Sequence, residues 1–206
     1  MSYLLHGSTT HTGMGWLDLV PRTDPRLYIG GLYALYQTDL VEAANITHVL
    51  SVIDYEVMVG DKLKGLEHFH IRAEDHPNEN LLQYLDAGAR FIDSALNRPT
   101  TTTTTTKSGA VFVHCAMEKS RSATLVCAYL IWKHGVSPAQ ALQQLCEGRP
   151  ICEPNVGFTE QLEVWASMCG VDGHGDKKRI YEEWEKNRFT GEVWEWERRA
   201  KEVAKL

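Results

Sequence analysis

No apolar run in this chain approaches the roughly 18 residues that a membrane-spanning helix needs, so no membrane partner is expected. Excess positive charge is also missing: the net charge is −6 with histidine counted neutral. That excludes a protein held to nucleic acid by its overall charge, and no direct sequence-specific nucleic-acid partner is expected. Met1 to Gly15 has neither a basic start nor a long apolar stretch, unlike a secretory signal. Cysteines number five (Cys115, Cys127, Cys146, Cys152 and Cys169), with no CxxC pair. An odd count without paired spacing argues against a disulfide framework or a zinc ribbon. It fits a reducing compartment, the cytoplasm with the nucleus as a second location. There is no GxxxxGK[ST], so a nucleotide P-loop is not expected. His68, His70 and His76 lie close in sequence, but no further ligand pattern accompanies them, and they read as surface or loop histidines.

What is present is a strand and helix pattern. Residues 1–25 read as an irregular leader. Arg26 to Gly31 has the composition of a short strand ending in a glycine turn, and Gln37 to Ala44 reads as a short helix with Thr38 as its N-cap. His48 to Ile53 is apolar and β-branched, as in a strand buried on both faces, and His68 to Arg72 alternates. Leu81 to Leu96 carries apolar residues at helical spacing. Thr100 to Thr106 is an unbroken threonine run that reads as a surface loop insertion, since it has no hydrophobic periodicity. Ser137-Pro138 and Pro154-Asn155 each open a helix. Gly170 to Gly175 is a glycine-rich link, and Val193, Trp196, Ala200 and Val203 give the tail beyond it helical spacing. The tail is expected to pack back on the domain, with a partner-docking helix as the alternative. The implied fold is α/β: a central, mostly parallel sheet of four or five strands flanked by helices.

The chemistry lies where the strand Ala110-Val-Phe-Val-His114 runs into Cys115-Ala-Met-Glu-Lys-Ser-Arg121 and then a helix. A loop of that length can curl so that the N–H groups of Ala116, Met117, Glu118, Lys119, Ser120 and Arg121 point inward. With the positive end of the following helix they form an anion cradle. The Arg121 guanidinium can grip two phosphate oxygens with paired hydrogen bonds, a fork that lysine lacks. The same groups favour the thiolate of Cys115, making it a nucleophile toward phosphorus. Ser122 could donate to the sulfur as a phosphoenzyme breaks down. The leaving group needs a proton, and Asp75, in the polar loop after the strand ending near Arg72, is the expected donor, ahead of Glu74. No metal or organic cofactor is needed, because the loop supplies the positive potential.

These residues carry a resemblance. His114-Cys-Ala-Met-Glu-Lys-Ser-Arg-Ser122 resembles the signature of the dual-specificity protein phosphatases, within the protein tyrosine phosphatase superfamily. The likeness covers roughly residues 26–170. It includes Leu27-Tyr-Ile-Gly-Gly31, the Asp75 loop, Phe91-Ile92-Asp93, and Pro154-Asn-Val-Gly-Phe158 with Gln161-Leu162. It implies a protein tyrosine phosphatase-like fold and hydrolysis of phosphotyrosine and phosphoserine/threonine in protein substrates. It also implies Cys115 as nucleophile, Arg121 as phosphate binder, Asp75 as general acid, and Asn155 bracing the loop, with His114 in support. The family usually has glycine where Glu118 stands. Glutamate brings charge to the rim, beside an offsetting Lys119, and bears on rate and affinity. Loops for phosphoinositides or RNA 5′ ends often carry more basic residues than the single Lys119 here. A narrower likeness is to the fungal members linked to 60S ribosomal subunit maturation, which implies a pre-ribosomal particle as partner. Those members typically add a C-terminal cysteine-rich zinc domain, and residues 171–206, read as linker and helical tail, contain no cysteine. Lys186-Asn-Arg-Phe189 is similar to a substrate-recognition motif of the classical tyrosine phosphatases. There it precedes the cysteine; here it follows, as coincidence.

Overall fold

The computed structural model describes residues 16–57, 64–97, 99–102, 105–117 and 119–203. A five-stranded sheet has the order β1-β2-β7-β3-β4, built from β1 (Leu17–Leu19), β2 (Leu27–Gly31), β3 (Ile46–Val52), β4 (Glu67–Ile71) and β7 (Ala110–Cys115). All pairings are parallel except β1 with β2, so the sheet is mostly parallel as expected. β7 is central, and all six of its residues are buried.

Alternation along the strands sorts their side chains into two cores. Val111 and Val113 of β7, Leu50 and Val52 of β3, and Leu27 and Ile29 of β2 face one side. There they meet α3 (Leu82–Asn97), α4 (Arg121–His134), α5 (Pro138–Gly148) and α6 (Val156–Cys169). Phe112, Tyr28, Ile46 and Val49 face the other side, against α1 (Leu32–Leu35) and α2 (Thr38–Ala43). Both faces are covered, which explains why β3 and β7 read as continuous apolar runs. Close approach of α3 and α4 depends on Gly88: a Cβ there would lie 2.4 Å from the Leu125 side chain.

Three expectations are corrected. The leader contributes an edge strand, β1, whose register pairs Leu17 with Gly30 and Leu19 with Tyr28. Three residues are too few to show a period, so the strand left no mark in the sequence pattern. The threonine run does not form a plain loop. β5 (Pro99–Thr102) and β6 (Thr105–Ser108) pair antiparallel as a separate two-stranded hairpin. β-branched threonine favours extended backbone, and a ladder of main-chain bonds needs no hydrophobic period. Finally, the N-cap of α2 is Gln37, without a side-chain cap, and Thr38 is already helical.

The other boundaries follow local chemistry. Ser137 and Gln140 form a reciprocal capping box at α5, with proline in the first turn. Asn155 caps α6 by accepting from the Phe158 N–H. α4 stops at Gly135, whose φ of 66° is the left-handed conformation a glycine adopts without strain. The glycine link ends earlier than its composition implies, since Gly175 already lies in α7 (His174–Asn187), which with α8 (Val193–Val203) forms the tail. Tyr181 and Trp184 of α7 pack against the main core, and Trp196 of α8 is only 4% exposed. The tail thus packs back on the domain; among its tryptophans, Trp194 faces solvent.

Candidate active site

Parallel strands gather their carboxyl ends at one edge, where sites of open α/β sheets are built. Register aligns Gly31 of β2 with Cys115, and Ser51 of β3 with His114. β7 ends at Cys115, and α4 begins at Arg121, six residues on. The Cys115 Sγ is buried and lies 3.2 Å from the Ser122 Oγ. Ser120, the N-cap of α4, offers its carbonyl to the N–H and hydroxyl of Thr124. Its own hydroxyl accepts from the Asn155 N–H at 3.1 Å. The positive end of α4 is therefore aimed at the loop that starts with Cys115.

Arg121 is buried and held by one terminal nitrogen, which donates to the Ala73 carbonyl at 3.0 Å and to Asp54 at 3.2 Å. Its Nε is buried without a hydrogen-bond partner. An unmatched donor on a buried cation is costly, and an anion in the loop would satisfy it. Asp75 lies 3.9 Å from that Nε, beyond hydrogen-bond reach. Asp75 is in turn oriented by Asn155, whose side-chain amide donates to it at 2.9 Å. Lys119 pairs with Glu153 at 2.6 Å on the surface, outside the cradle. Ala116 and Met117 lie in the turn after Cys115, with Met117 65% exposed on the rim. Glu118 falls outside the described residues.

Behind the cysteine runs a directional chain of hydrogen bonds. The Cys115 carbonyl can only accept, so the His114 Nδ1, at 3.3 Å, carries the proton. The His114 Nε2 then accepts from the Ser51 hydroxyl at 2.5 Å, and the Ser51 Oγ accepts from the His68 Nε2 at 2.6 Å. Burial drives the His114 pKa down to about 3, so the ring is neutral at ordinary pH. Burial and then the neighbouring His70 lower His68 as well. His70 donates to the Ile53 carbonyl, and the His76 Nδ1 accepts from the Asn78 N–H, so the three histidines serve separate partners.

Burial also pushes up the Cys127 thiol to about 12 and the Cys169 thiol to about 11, and raises Cys146 and Cys152. These four are held as thiols and are poor nucleophiles.

Neutral His114 has a consequence for stability. The unfolded chain takes up a proton there below about 6.5, whereas the folded chain does not until about 3. The folded pKa is depressed, so this contribution is fully present above pH 6.5. It is lost as pH falls toward 3, by up to about 1.4 kcal/mol per pH unit. His114→Asn keeps a donor for the Cys115 carbonyl but cannot titrate. Urea unfolding at pH 7 and pH 5 is expected to show a shallower pH dependence in the variant; identical slopes would contradict this reading.

Cys115, Ser122, Arg121, Asp75 and Asn155 are thus brought together at one edge, with His114 behind them. Glu74 stands apart, with its N–H donating to Glu79 and its side chain exposed. Asn155, expected to brace the loop, does so through its main chain, while its side chain holds Asp75. Asp54 and Ser51 were not anticipated. Both sit at the carboxyl end of β3, beside β7, and the edge rule for parallel sheets was the signal that could have found them.

Residues 27–168 match the family of the dual specificity phosphatase catalytic domain. The chain belongs to this family. It is 35% identical over 145 residues to dual specificity protein phosphatase 1 of Arabidopsis thaliana, covering 66% of this chain and 64% of that protein. It is 34% identical over 154 residues to the tyrosine-protein phosphatase YVH1 of Saccharomyces cerevisiae, covering 70% of this chain but 42% of the relative. The chain therefore spans less than two thirds of either relative. Among solved structures, the Yvh1 phosphatase domain of Chaetomium thermophilum superposes with a TM-score of 0.66 at 36% identity, over 76% of this chain and 99% of that one. This fungal likeness agrees with the narrower resemblance read from the signature loop.

Proposed function

We propose that this dual specificity phosphatase hydrolyses phosphotyrosine and phosphoserine/threonine in proteins through a cysteinyl-phosphate. The observation that carries the reading is the buried Arg121, with an unpartnered Nε, set between the Cys115 loop and Asp75. Phosphate oxygens bind the loop N–H groups and the guanidinium. The Cys115 thiolate attacks phosphorus in line, and the P–O bond to the leaving group breaks as Asp75 donates its proton. Water, activated by the resulting Asp75 carboxylate, then attacks the cysteinyl-phosphate and releases inorganic phosphate. The thiolate leaves with Ser122 donating to it. No metal enters any step.

Exposed Tyr33, Tyr36 and Tyr55 follow the carboxyl ends of β2 and β3 and, with Met117, give the mouth an apolar rim suited to a protein substrate. Phosphate release from matched phosphotyrosine and phosphothreonine peptides tests the reading. Turnover of both is expected, and release from neither would overturn it.

The likeness to fungal members supports a pre-ribosomal particle as the partner, in cytoplasm and nucleus. If the chain serves there mainly as a binding module, Cys115→Ser will preserve function in cells; if catalysis matters, it will not.

A further inference from the structure

The family match ends at residue 168, yet α7 and α8 lie beyond it and reach back to the loop that carries Asp75. Asn78, three residues past the acid, is held from three directions. Its side-chain amide donates to the Gly191 carbonyl at 3.0 Å, its side-chain oxygen accepts from the Trp196 indole at 2.7 Å, and its carbonyl accepts from Arg188 at 3.2 Å. Asn80 donates to the Tyr181 hydroxyl at 2.9 Å and to Glu185 at 3.0 Å. Within the catalytic domain the same loop is tied to α6 and its N-cap, where Asn155 holds Asp75 and Gln161 donates to the Glu79 carbonyl at 2.8 Å, and to α4, where Arg121 donates to the Ala73 carbonyl. Packing reinforces the outer contacts. Trp196 is buried edge-on against Phe189 at 4.9 Å, and the Arg199 guanidinium lies 4.5 Å over Phe189.

We propose that the C-terminal helices are a clamp that positions the general-acid loop, with the Trp196 indole N–H on Asn78 as its central contact. The proposal rests on the function proposed above. A polar loop of this kind has few apolar contacts of its own and samples other conformations unless it is tied down. Proton donation demands that the carboxyl group sit within hydrogen-bond reach of the leaving oxygen, so loosening the loop slows formation of the cysteinyl-phosphate only where a proton must be supplied. The residues of the clamp touch no reacting atom; they act through Asp75.

Trp196→Phe removes the indole donor and keeps an aromatic ring in place, so the full chain is expected to fold. Two substrates separate positioning from general damage. The kcat/KM of p-nitrophenyl phosphate, which reports the steps up to departure of a leaving group that needs little help from an acid, is expected to stay within about twofold of wild type. The kcat/KM of phenyl phosphate is expected to fall roughly tenfold. In an Asp75→Asn background, Trp196→Phe is expected to add nothing further. Equal losses on both substrates, or additive losses with Asp75→Asn, would overturn the proposal. Hydrogen exchange reads the clamp independently of turnover: the amides of His76, Asn78, Glu79 and Asn80 are expected to exchange faster in Trp196→Phe. Unchanged exchange there would overturn the clamp even if the enzyme is active. Faster exchange in a chain inactive on both substrates would uphold the contact while removing the catalytic reading beneath it.

Discussion

Cys115→Ser will remove turnover of both phosphotyrosine peptides and aryl phosphates by at least about 10⁴-fold while leaving phosphate-ester binding in place. The change replaces one atom. The side chain stays at the floor of the loop, within reach of Ser122, and the anion cradle formed by the α4 N-terminus and Arg121 is untouched. What is lost is the thiolate. His114 does not serve a serine hydroxyl as base: it is buried behind the strand end, and its proton on Nδ1 is committed to the Cys115 carbonyl. The remaining cysteines cannot substitute, because burial holds them as thiols. Initial-rate measurements with titration calorimetry on a phosphopeptide check both halves. Retained turnover would remove Cys115 from the mechanism, and lost binding would show that the substitution had disturbed the cradle.

Asp75→Asn comes next in size, with a loss of roughly 10²- to 10³-fold on phenyl phosphate. The asparagine side chain keeps an oxygen to accept from Asn155, so the loop stays in place. Only the transferable proton is gone. The loss in kcat/KM, which reports the steps up to departure of the leaving group, is expected to shrink sharply for p-nitrophenyl phosphate, whose anion leaves unaided. An unchanged leaving-group dependence would assign the proton to another residue. Glu74 is the neighbour to examine first, although its exposed side chain is not directed to Arg121 by any contact found among the described residues.

The contrast between Asp75 and Asp54 shows what was legible in the sequence. Cys115, Arg121 and Ser122 were readable because their chemistry is local: one strand, one loop and one helix N-terminus hold all three within eight residues. Asp75 was readable from its place after a strand. Asp54 anchors Arg121 from just past the end of β3, far away in the chain, and only the parallel register of β3 with β7 brings it there. Ser51 and His68 were hidden for the same reason. Their relay to His114 exists only once β4, β3 and β7 lie side by side. His68, which sequence spacing did not mark as a metal ligand, is a hydrogen-bond donor to Ser51, and that role could not be read from spacing.

Long periodic elements were the easiest to place. α3 and α6 begin within two residues of the positions that their apolar spacing and caps imply. The short β1 and the threonine hairpin escaped because neither presents a periodic apolar face. Gly157 illustrates a third kind of information. It belongs to the Pro154–Phe158 stretch that carried the family likeness, and a Cβ there would lie 2.0 Å from the Pro77 carbonyl. The close approach of α6 to the acid loop explains why no larger residue fits. Such a reason becomes visible only when the backbones are seen together.

The central claim is that a covalent bond forms between Cys115 and phosphorus. Ser122→Ala is the variant in which to look for it, since loss of the hydroxyl 3.2 Å from the sulfur should slow breakdown of the intermediate more than its formation. The full chain would be mixed with p-nitrophenyl phosphate, quenched in acid within the first turnover and analysed by mass spectrometry. The account predicts a burst of nitrophenolate matched by one phosphoryl group on the peptide containing Cys115. Steady turnover with no burst and no phosphorylated Cys115 peptide would contradict it.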